Sequence, residues 1–343
     1  MSKKSELRQD LVSGDWILIS PGRLKRPGAF IKKKTKRVAT PINKCPDDFE
    51  HPLRDPRRKP ILKYMSGRGL IKNEKDDEQN WEIVVLQNRY PAVNHEDKLI
   101  RFHKLGPYAA IKGAGHHDLV ITRDHYLNFA RMSINVLFRV FVAFRDRYLT
   151  LLSDKNIAYI SIFHNWGPGA GASIYHPHSQ IIAIPVVPPG VTRSLEGSLK
   201  YFKDHRTCVH CKMIGAEKKI KKRIIAENSE AIAFAPYASR LPFEVRVFPK
   251  RHRPYFENTY DGELMGVVEV LQLVLKSIEK NLHDPDYNLF IHTSPTIDKK
   301  RYRYYHWHIE ILPKTNILAG FELGTGVELN AIDPDDAAKI LRK

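Results

Sequence analysis

The apolar residues of two long stretches, 134–152 and 264–282, recur at the 3.6-residue period of an amphipathic helix. Each stretch therefore predicts a long helix whose apolar stripe packs against a hydrophobic core. The apolar positions are Val136, Leu137, Val140, Phe141, Phe144, Tyr148 and Leu151 in the first stretch, and Val267, Val268, Val270, Leu271, Val274 and Ile278 in the second.

Short apolar-rich segments flank both predicted helices and indicate strands. The last strand of each set begins with a His-x-His pair, which is His176–His178 in the first half and His306–His308 in the second. The matching segments are 118–125 and 244–252 before the helices, and 159–164 with 176–185 and 287–292 with 306–313 after them. The chain is therefore predicted to be a duplicated α+β unit with antiparallel sheets and one long helix in each half.

A proline-rich segment, 186–192, separates the two copies and is the predicted domain boundary. This placement gives an amino-terminal domain of residues 1–190 and a carboxy-terminal domain of residues 191–343. The length of 343 residues agrees with about two domains, and a hydrophobic content of 42% is enough to form cores in both.

The start of the chain and its charge indicate where the protein is located and which ligands it attracts. The chain starts without an apolar signal region and has no apolar stretch of about 18 residues, so we expect a cytoplasmic protein without a membrane span. The net charge is +18, with basic runs at 32–37, 57–59 and 218–223. Such a charge attracts anionic metabolites or nucleic acid, but the runs lie outside the motifs and lack interleaved aromatic residues. Dedicated nucleic-acid binding is therefore not favoured, although a zinc-containing nucleic-acid-binding protein stays the alternative from a different class.

Chemistry is concentrated where a glycine-rich loop, 167–171, leads into His176-x-His178-x-Gln180. Alternation along a strand places these three polar side chains on one face. Glycines let backbone N–H groups approach an anion closely, as in phosphate-binding loops. A nucleophilic imidazole beside a phosphate site indicates transfer of a nucleotidyl group through a covalent histidine intermediate.

Several residues of this region occur in an order that resembles a known active-site signature. The residues are Asn165, Gly171, Ser173, His176, His178 and Gln180. The order resembles the galactose-1-phosphate uridylyltransferase family, a branch of the histidine-triad (HIT) superfamily. Segments 8–27, 88–92 and 319–326 are similar to the family's amino-terminal, nucleotide-pocket and carboxy-terminal sugar-phosphate segments. The resemblance thus covers nearly the whole chain and implies two tandem HIT-like domains.

The resemblance implies a role for each matching residue. His178 is the implied nucleophile, which attacks the α-phosphorus of a nucleotide sugar, and a sugar 1-phosphate then accepts the nucleotidyl group in a ping-pong reaction. A backbone carbonyl, which the glycine loop can offer, should hold the proton on its other ring nitrogen. Ser173, Gln180 and the loop amides are implied donors to phosphoryl oxygens. The implied substrate-binding residues are Arg23, Arg26, Asn88, Asn165, Gly171, Phe321 and Glu322.

Catalysis is assigned to the first half, because the second half lacks both the glycine loop and the glutamine. Two reactions stay open. One is uridylyl transfer from UDP-glucose to a hexose 1-phosphate such as galactose 1-phosphate. The other is the related ADP-glucose phosphorylase reaction, in which inorganic phosphate is the acceptor. Asn316 lies near the position of a lysine in uridylyltransferases, which does not favour galactose 1-phosphate. The resemblance also implies a homodimer.

Two groups of residues are candidate zinc ligands. Cys208 and Cys211 have the spacing of a metal knuckle, and His252 and His306 complete a tetrahedral set. Whether His292 or His308 replaces His306 stays open. In the first half, the family's second cysteine is replaced by an aspartate, so the predicted ligands are Cys45, Asp48, His117 and His176. Because a carboxylate weakens a thiolate-type zinc site, loss of this metal is also possible.

Overall fold

The computed structural model describes residues 4–25, 37–46, 60–65, 69–71, 81–317 and 319–343. The strands in these ranges are β1 (Glu6–Gln9), β2 (Trp16–Ile19), β3 (Leu62–Met65), β4 (Gly69–Ile71), β5 (Trp81–Gln87), β6 (His103–Leu105), β7 (Tyr108–Ala110), β8 (His116–Thr122), β9 (Tyr159–Trp166), β10 (His178–Ile184), β11 (Ile224–Glu227), β12 (Ala231–Phe234), β13 (Val245–Pro249), β14 (Tyr287–His292), β15 (His308–Pro313) and β16 (Glu328–Asn330). The α-helices are α1 (Ile134–Leu151), α2 (Pro189–His205), α3 (Val209–Ile220), α4 (Asp261–Asn281), α5 (Gly320–Thr325) and α6 (Pro334–Leu341).

Both halves of the chain contribute strands to one sheet of eleven strands. Its order is β11-β12-β13-β15-β14-β9-β10-β8-β5-β3-β4, and every neighbouring pair is antiparallel. The halves join at β9 and β14, where Phe163 lies opposite Phe290. The predicted antiparallel α+β architecture is confirmed, and the two repeats share one continuous sheet.

The two long predicted helices are confirmed as α1 and α4. Ser133 caps α1, because its side chain accepts a hydrogen bond from the Val136 amide. The helices contact each other and bury their apolar stripes in the main hydrophobic core. Phe141 of α1 and Val267 of α4 are both completely buried there.

The two ends of the chain meet in a second, three-stranded sheet of order β1-β2-β16. Strands β2 and β16 run parallel, with Leu18 opposite Leu329. A buried ion pair between Arg8 and Asp333, with 3.0 Å between nitrogen and oxygen, connects the same two ends. The amino-terminal and carboxy-terminal segments therefore form one structural unit beside the large sheet.

Two helices follow the first half that the sequence pattern did not predict. The proline-rich segment leads directly into α2, and Pro189 is its first residue. Proline suits this position because the first helical N–H has no partner within the helix. The predicted boundary between residues 190 and 191 lies in the first turn of α2 and stays a prediction. None of the helices in the described ranges has the length and apolar character to cross a lipid bilayer.

Replacement of a core phenylalanine tests the packing of α1 against the sheet. Phe141→Ala should lower the free energy of unfolding by about 3–5 kcal/mol, because it leaves a cavity at a completely buried position. Urea unfolding followed by circular dichroism measures this change. Leu149→Ala is the matched control, because Leu149 lies on the same helix with 46% of its surface exposed. Equal losses in the two variants would contradict the packing described here.

Candidate active site

His178, the predicted nucleophile, is the first residue of β10 and is buried with 8% of its surface exposed. Its Nδ1–H donates to the backbone carbonyl of His176 over 2.8 Å. A carbonyl only accepts hydrogen bonds, so the proton is on Nδ1 and the lone pair is on Nε2. This is the tautomer that a nucleophilic imidazole needs. The carbonyl belongs to His176, and not to the glycine loop as we expected.

His164, on the neighbouring strand β9, contacts the backbone of His178 and was missed as a site residue. Its Nδ1 donates to the carbonyl of His178 over 2.9 Å, and its ring stacks on Phe129. Burial lowers the pKa of His164 to about 3, so the ring is neutral at physiological pH. The signal was present in the sequence, since His164 ends the predicted strand 159–164 next to the His-x-His strand.

Gln180 is oriented by His117. The Ala92 amide donates to His117 Nδ1 over 3.0 Å, so the ring proton of His117 is on Nε2. This Nε2 lies 2.9 Å from the Gln180 side-chain oxygen and donates to it. The amide nitrogen of Gln180 is then the end that can donate to a phosphoryl oxygen. Asn88, a predicted nucleotide-binding residue, lies beside this group, with its Nδ2 at 3.1 Å from His117 Nε2. Because both nitrogen atoms carry hydrogen in this tautomer, the approach is a contact and not a hydrogen bond.

The glycine loop is folded tightly. Gly167 and Gly171 have φ angles of 85° and 88°, which favour glycine. The amides of residues 169–172 all donate within the protein, so these four do not form the open phosphate cradle that we expected. Their acceptors are an Asp286 carboxylate oxygen for Gly169, the Gly167 carbonyl for Ala170 and Ala172, and the Pro168 carbonyl for Gly171. Ser173 follows the loop with an exposed side chain.

Cys45, His125 and His176 form a buried cluster of possible metal ligands. The Cys45 sulfur lies 3.6 Å from His176 Nδ1, and the Nδ1 atoms of His125 and His176 are 3.3 Å apart. Each ring donates its Nε2–H to a backbone carbonyl over 2.6 Å, that of Thr40 for His125 and that of Thr122 for His176. Both Nδ1 lone pairs therefore point into the cluster, the orientation that a zinc ion requires.

This cluster corrects the predicted first set of ligands. His117 does not belong to it, because its ring atoms face Ala92 and Gln180. His125 takes the predicted place of His117. Burial lowers the pKa of His176 to about 4, which leaves its ring neutral and able to bind a cation. The remaining predicted ligand, Asp48, lies outside the described residues.

The second cluster contains all four predicted ligands, Cys208, Cys211, His252 and His306. The Cys211 sulfur lies 3.4 Å from His252 Nδ1 and 3.5 Å from His306 Nδ1. His252 donates its Nε2–H to the Arg303 carbonyl over 2.8 Å, which directs its Nδ1 lone pair to the sulfur atoms. Two thiols and two imidazoles are a donor set that fits a closed tetrahedral zinc site.

His292 and His308 form a different group with Glu310, at the place in the second half that corresponds to His178 and Gln180. His308 donates its Nδ1–H to the His306 carbonyl over 3.1 Å, as His178 does to His176. Glu310 stands where the first half has Gln180. Burial would raise the pKa of Glu310, but the charges of Arg240 and Arg246 outweigh it and hold that pKa well below its usual range.

One further cluster, formed by His95, His116 and Asp154, lies at the start of β8. His116 Nε2 lies 2.9 Å from an Asp154 carboxylate oxygen, and His95 Nε2 lies 2.9 Å from Asp97. Hydrogen bonds thus account for this group.

The remaining predicted substrate-binding residues are spread over the molecule. Asn165, on β9, accepts a hydrogen bond from Asn288 over 2.8 Å. Arg23 is exposed on the short helical turn Pro21–Lys25, and Phe321 and Glu322 lie on α5. The structure does not connect these three to the group around Gln180. Arg26 lies outside the described residues.

Comparison with known proteins agrees with this geometry. A family model described as "Domain of unknown function (DUF4921)" matches residues 69–342. ADP-glucose phosphorylase from Arabidopsis thaliana is 33% identical over 345 residues, which cover 100% of this chain and 93% of the relative. Galactose-1-phosphate uridylyltransferase from Thermotoga maritima is 25% identical over 347 residues, which cover 98% of each chain.

Solved structures show the same relationship. The crystal structure of an ADP-glucose phosphorylase from Arabidopsis thaliana with bound ADP-glucose superposes with a TM-score of 0.80 at 30% identity and covers 99% of each chain. A structure of a uridylyltransferase gives a TM-score of 0.71 at 25% identity, over 98% of this chain and 97% of the other. The fold and the site define a nucleotidyltransferase. The chain belongs to the galactose-1-phosphate uridylyltransferase family, as the sequence motifs predicted.

Metal content tests the corrected ligand sets. Cys211→Ser and His125→Gln should each lower the zinc bound per chain by about one ion, because each removes a ligand from a different cluster. His117→Gln is the matched control and should leave the metal content unchanged. Elemental analysis of the purified protein measures all three variants. A loss of zinc in His117→Gln, or none in His125→Gln, would contradict the assignment.

Proposed function

We propose that this enzyme transfers a nucleotidyl group from a nucleoside diphosphate sugar to a phosphate acceptor through a covalent intermediate on His178. The observation that carries the proposal is the hydrogen bond from His178 Nδ1–H to the His176 carbonyl. It assigns the lone pair to Nε2, and as the ring gains positive charge during attack, this hydrogen bond strengthens. No separate base is needed to prepare the nucleophile.

The reaction balances in two displacements. In the first, His178 Nε2 forms a bond to the α-phosphorus, the bond from that phosphorus to the bridging oxygen breaks, and the sugar 1-phosphate leaves with the electron pair. In the second, an acceptor oxygen attacks the phosphorus, and the electron pair of the P–N bond returns to Nε2. Gln180, oriented by His117, donates its amide N–H to a phosphoryl oxygen during both steps.

Zinc is proposed as the metal of both Cys/His clusters. An ion at Cys45, His125 and His176 would fix the segment that carries the His176 carbonyl, and an ion at Cys208, Cys211, His252 and His306 would hold the start of α3 against the segments that follow β13 and precede β15. In both places the metal would supply structural support.

ADP-glucose with inorganic phosphate as acceptor is the proposed substrate pair. The full-length similarity to an ADP-glucose phosphorylase, at 33% identity, and Asn316 in place of a lysine support this choice. The second candidate is uridylyl transfer from UDP-glucose to a hexose 1-phosphate, which the similarity to uridylyltransferases supports. The geometry at His178 serves both reactions equally.

Covalent labelling tests the mechanism and the choice of nucleotide. Incubation with α-³²P-labelled ADP-glucose should leave radioactivity on the protein that is acid-labile and base-stable, as expected for a phosphorus–nitrogen bond. The label should be absent from His178→Ala and present in His205→Ala, which changes an exposed histidine of α2. Inorganic phosphate should then release labelled ADP.

The parallel experiment with α-labelled UDP-glucose separates the two candidate reactions. Stronger labelling by UDP-glucose, discharged by galactose 1-phosphate and not by phosphate, would favour uridylyl transfer. The absence of label with both nucleotides would overturn the mechanism. Retention of nucleic acid that is sensitive to salt, in a protein that takes no label, would instead favour the nucleic-acid-binding alternative.

A homodimer is proposed from the family resemblance, with α5 reaching the site of the second copy. The exposed apolar side chains of α5 support this proposal, since Phe321 and Leu323 are 49% and 73% exposed. Gel filtration with light scattering at micromolar concentration should give twice the chain mass of 39.6 kDa. A mass equal to one chain would refute the dimer.

A further inference from the structure

A single side chain from the second half connects two parts of the candidate active site. Asn288 of β14 lies opposite Asn165 of β9. Its Nδ2 donates to the Asn165 side-chain oxygen over 2.8 Å and to the Ala170 carbonyl, in the glycine loop, over 2.8 Å. Because a backbone carbonyl only accepts, the orientation of the Asn288 amide is fixed. Asn165 must then present its oxygen to Asn288, and its NH₂ group faces the side of Gly171.

A carboxylate from the turn before β14 holds the same loop. Asp286 accepts a hydrogen bond from the Gly169 amide over 2.5 Å and pairs with Arg37 over 2.6 Å. The approach is so close that a Cβ atom on Gly167 would lie 2.0 Å from an Asp286 oxygen. Only glycine fits there, so the loop and the carboxylate are matched in shape as well as in hydrogen bonding.

Trp166, the residue directly before the loop, also contacts a side chain of the second half. The Trp166 indole N–H donates to Asp284 over 2.9 Å, and the Arg37 guanidinium lies over the Trp166 ring at 4.7 Å. Asp284 and Asp286 therefore share Arg37, which offsets part of their charge beside the loop. The loop that leads from β9 to His178 is thus bounded by side chains of the second half.

We propose that Asn288 and Asp286 are positioning residues, through which the second half sets the geometry of the Asn165 amide and of loop 167–171 for nucleotidyl transfer. This inference rests on the proposed function. The second half lacks a glycine loop and carries Glu310 in place of a glutamine, so positioning is the contribution that its contacts to the first half can make. Displacement of groups that orient a phosphoryl centre by a fraction of an ångström is costly in rate.

Single-turnover labelling with α-³²P-labelled ADP-glucose and UDP-glucose tests the proposal. Asn288→Ala and Asp286→Ala should each slow formation of the labelled protein about 10–100-fold, with a smaller change in the dissociation constant of the nucleotide sugar. Asn288→Asp should be slower still, because a carboxylate would face two oxygen atoms. Asp286→Asn keeps an acceptor for the Gly169 amide and should restore most of the rate.

Two controls separate positioning from general destabilisation. Asp261→Asn removes an ion pair to Arg145 elsewhere in the second half and should leave the labelling rate unchanged. Because Asn288 acts through Asn165, the effects of Asn165→Ala and Asn288→Ala on the labelling rate should not multiply. The double variant Asn165→Ala/Asn288→Ala should label much faster than the product of the two single effects predicts. Multiplicative effects would overturn the proposal, as would wild-type rates in both alanine variants.

Hydrogen exchange gives a measurement that does not depend on the reaction. The amides of residues 169–172 should exchange about tenfold faster or more in Asn288→Ala and Asp286→Ala than in the wild type, with the core of α1 unchanged. If the wild-type protein takes no label, the proposed function fails, and the exchange experiment still decides whether these residues hold the loop. Unchanged exchange at residues 169–172 would refute the positioning role.

Discussion

The backbone pairing of β9 with β14 is the interaction on which the rest of the structure depends. It joins two repeats that would otherwise each expose an unpaired strand edge. It also fixes the position of the glycine loop, since that loop begins directly after β9 and Asn288 lies on β14. The two repeats thus form one continuous sheet, in which each repeat pairs a strand edge of the other. The residues of the proposed active site lie in the first half, and side chains of both halves support them.

One difference between the two His-x-His strands is the charge of the side chain two residues after the second histidine. Gln180 is neutral and can donate to a phosphoryl oxygen, whereas Glu310 at the corresponding place is an anion that would repel one. Arg240 and Arg246 neutralise Glu310 at 2.6 and 2.8 Å, so the second strand carries a buried ion network where the first has its reacting groups. Such a network is costly to break, because removal of one partner leaves a buried charge unpaired.

Local sequence patterns predicted the features that depend on near neighbours. Helical periodicity predicted α1 and α4, and close Cys/His spacing in two repeats predicted the residues that meet in the second cluster. The helix α2 was missed because a proline-rich segment was interpreted as a linker, although proline also starts helices. His125 was missed, although it occupies the position in the first repeat that corresponds to His252 in the second. The fold of the glycine loop could not be predicted, since it depends on Asp286, which is distant in sequence.

Backbone carbonyls assign different tasks to chemically identical histidines. His125 and His176 each donate Nε2–H to a carbonyl and therefore present Nδ1 to the metal cluster. His178 donates Nδ1–H to a carbonyl and therefore presents the lone pair of Nε2. A carbonyl only accepts hydrogen bonds, so it selects one tautomer of the neutral ring. His176 and His178 lie two residues apart on one segment, and the ring nitrogen that the backbone occupies prepares one for the proposed role of metal ligand and the other for that of nucleophile.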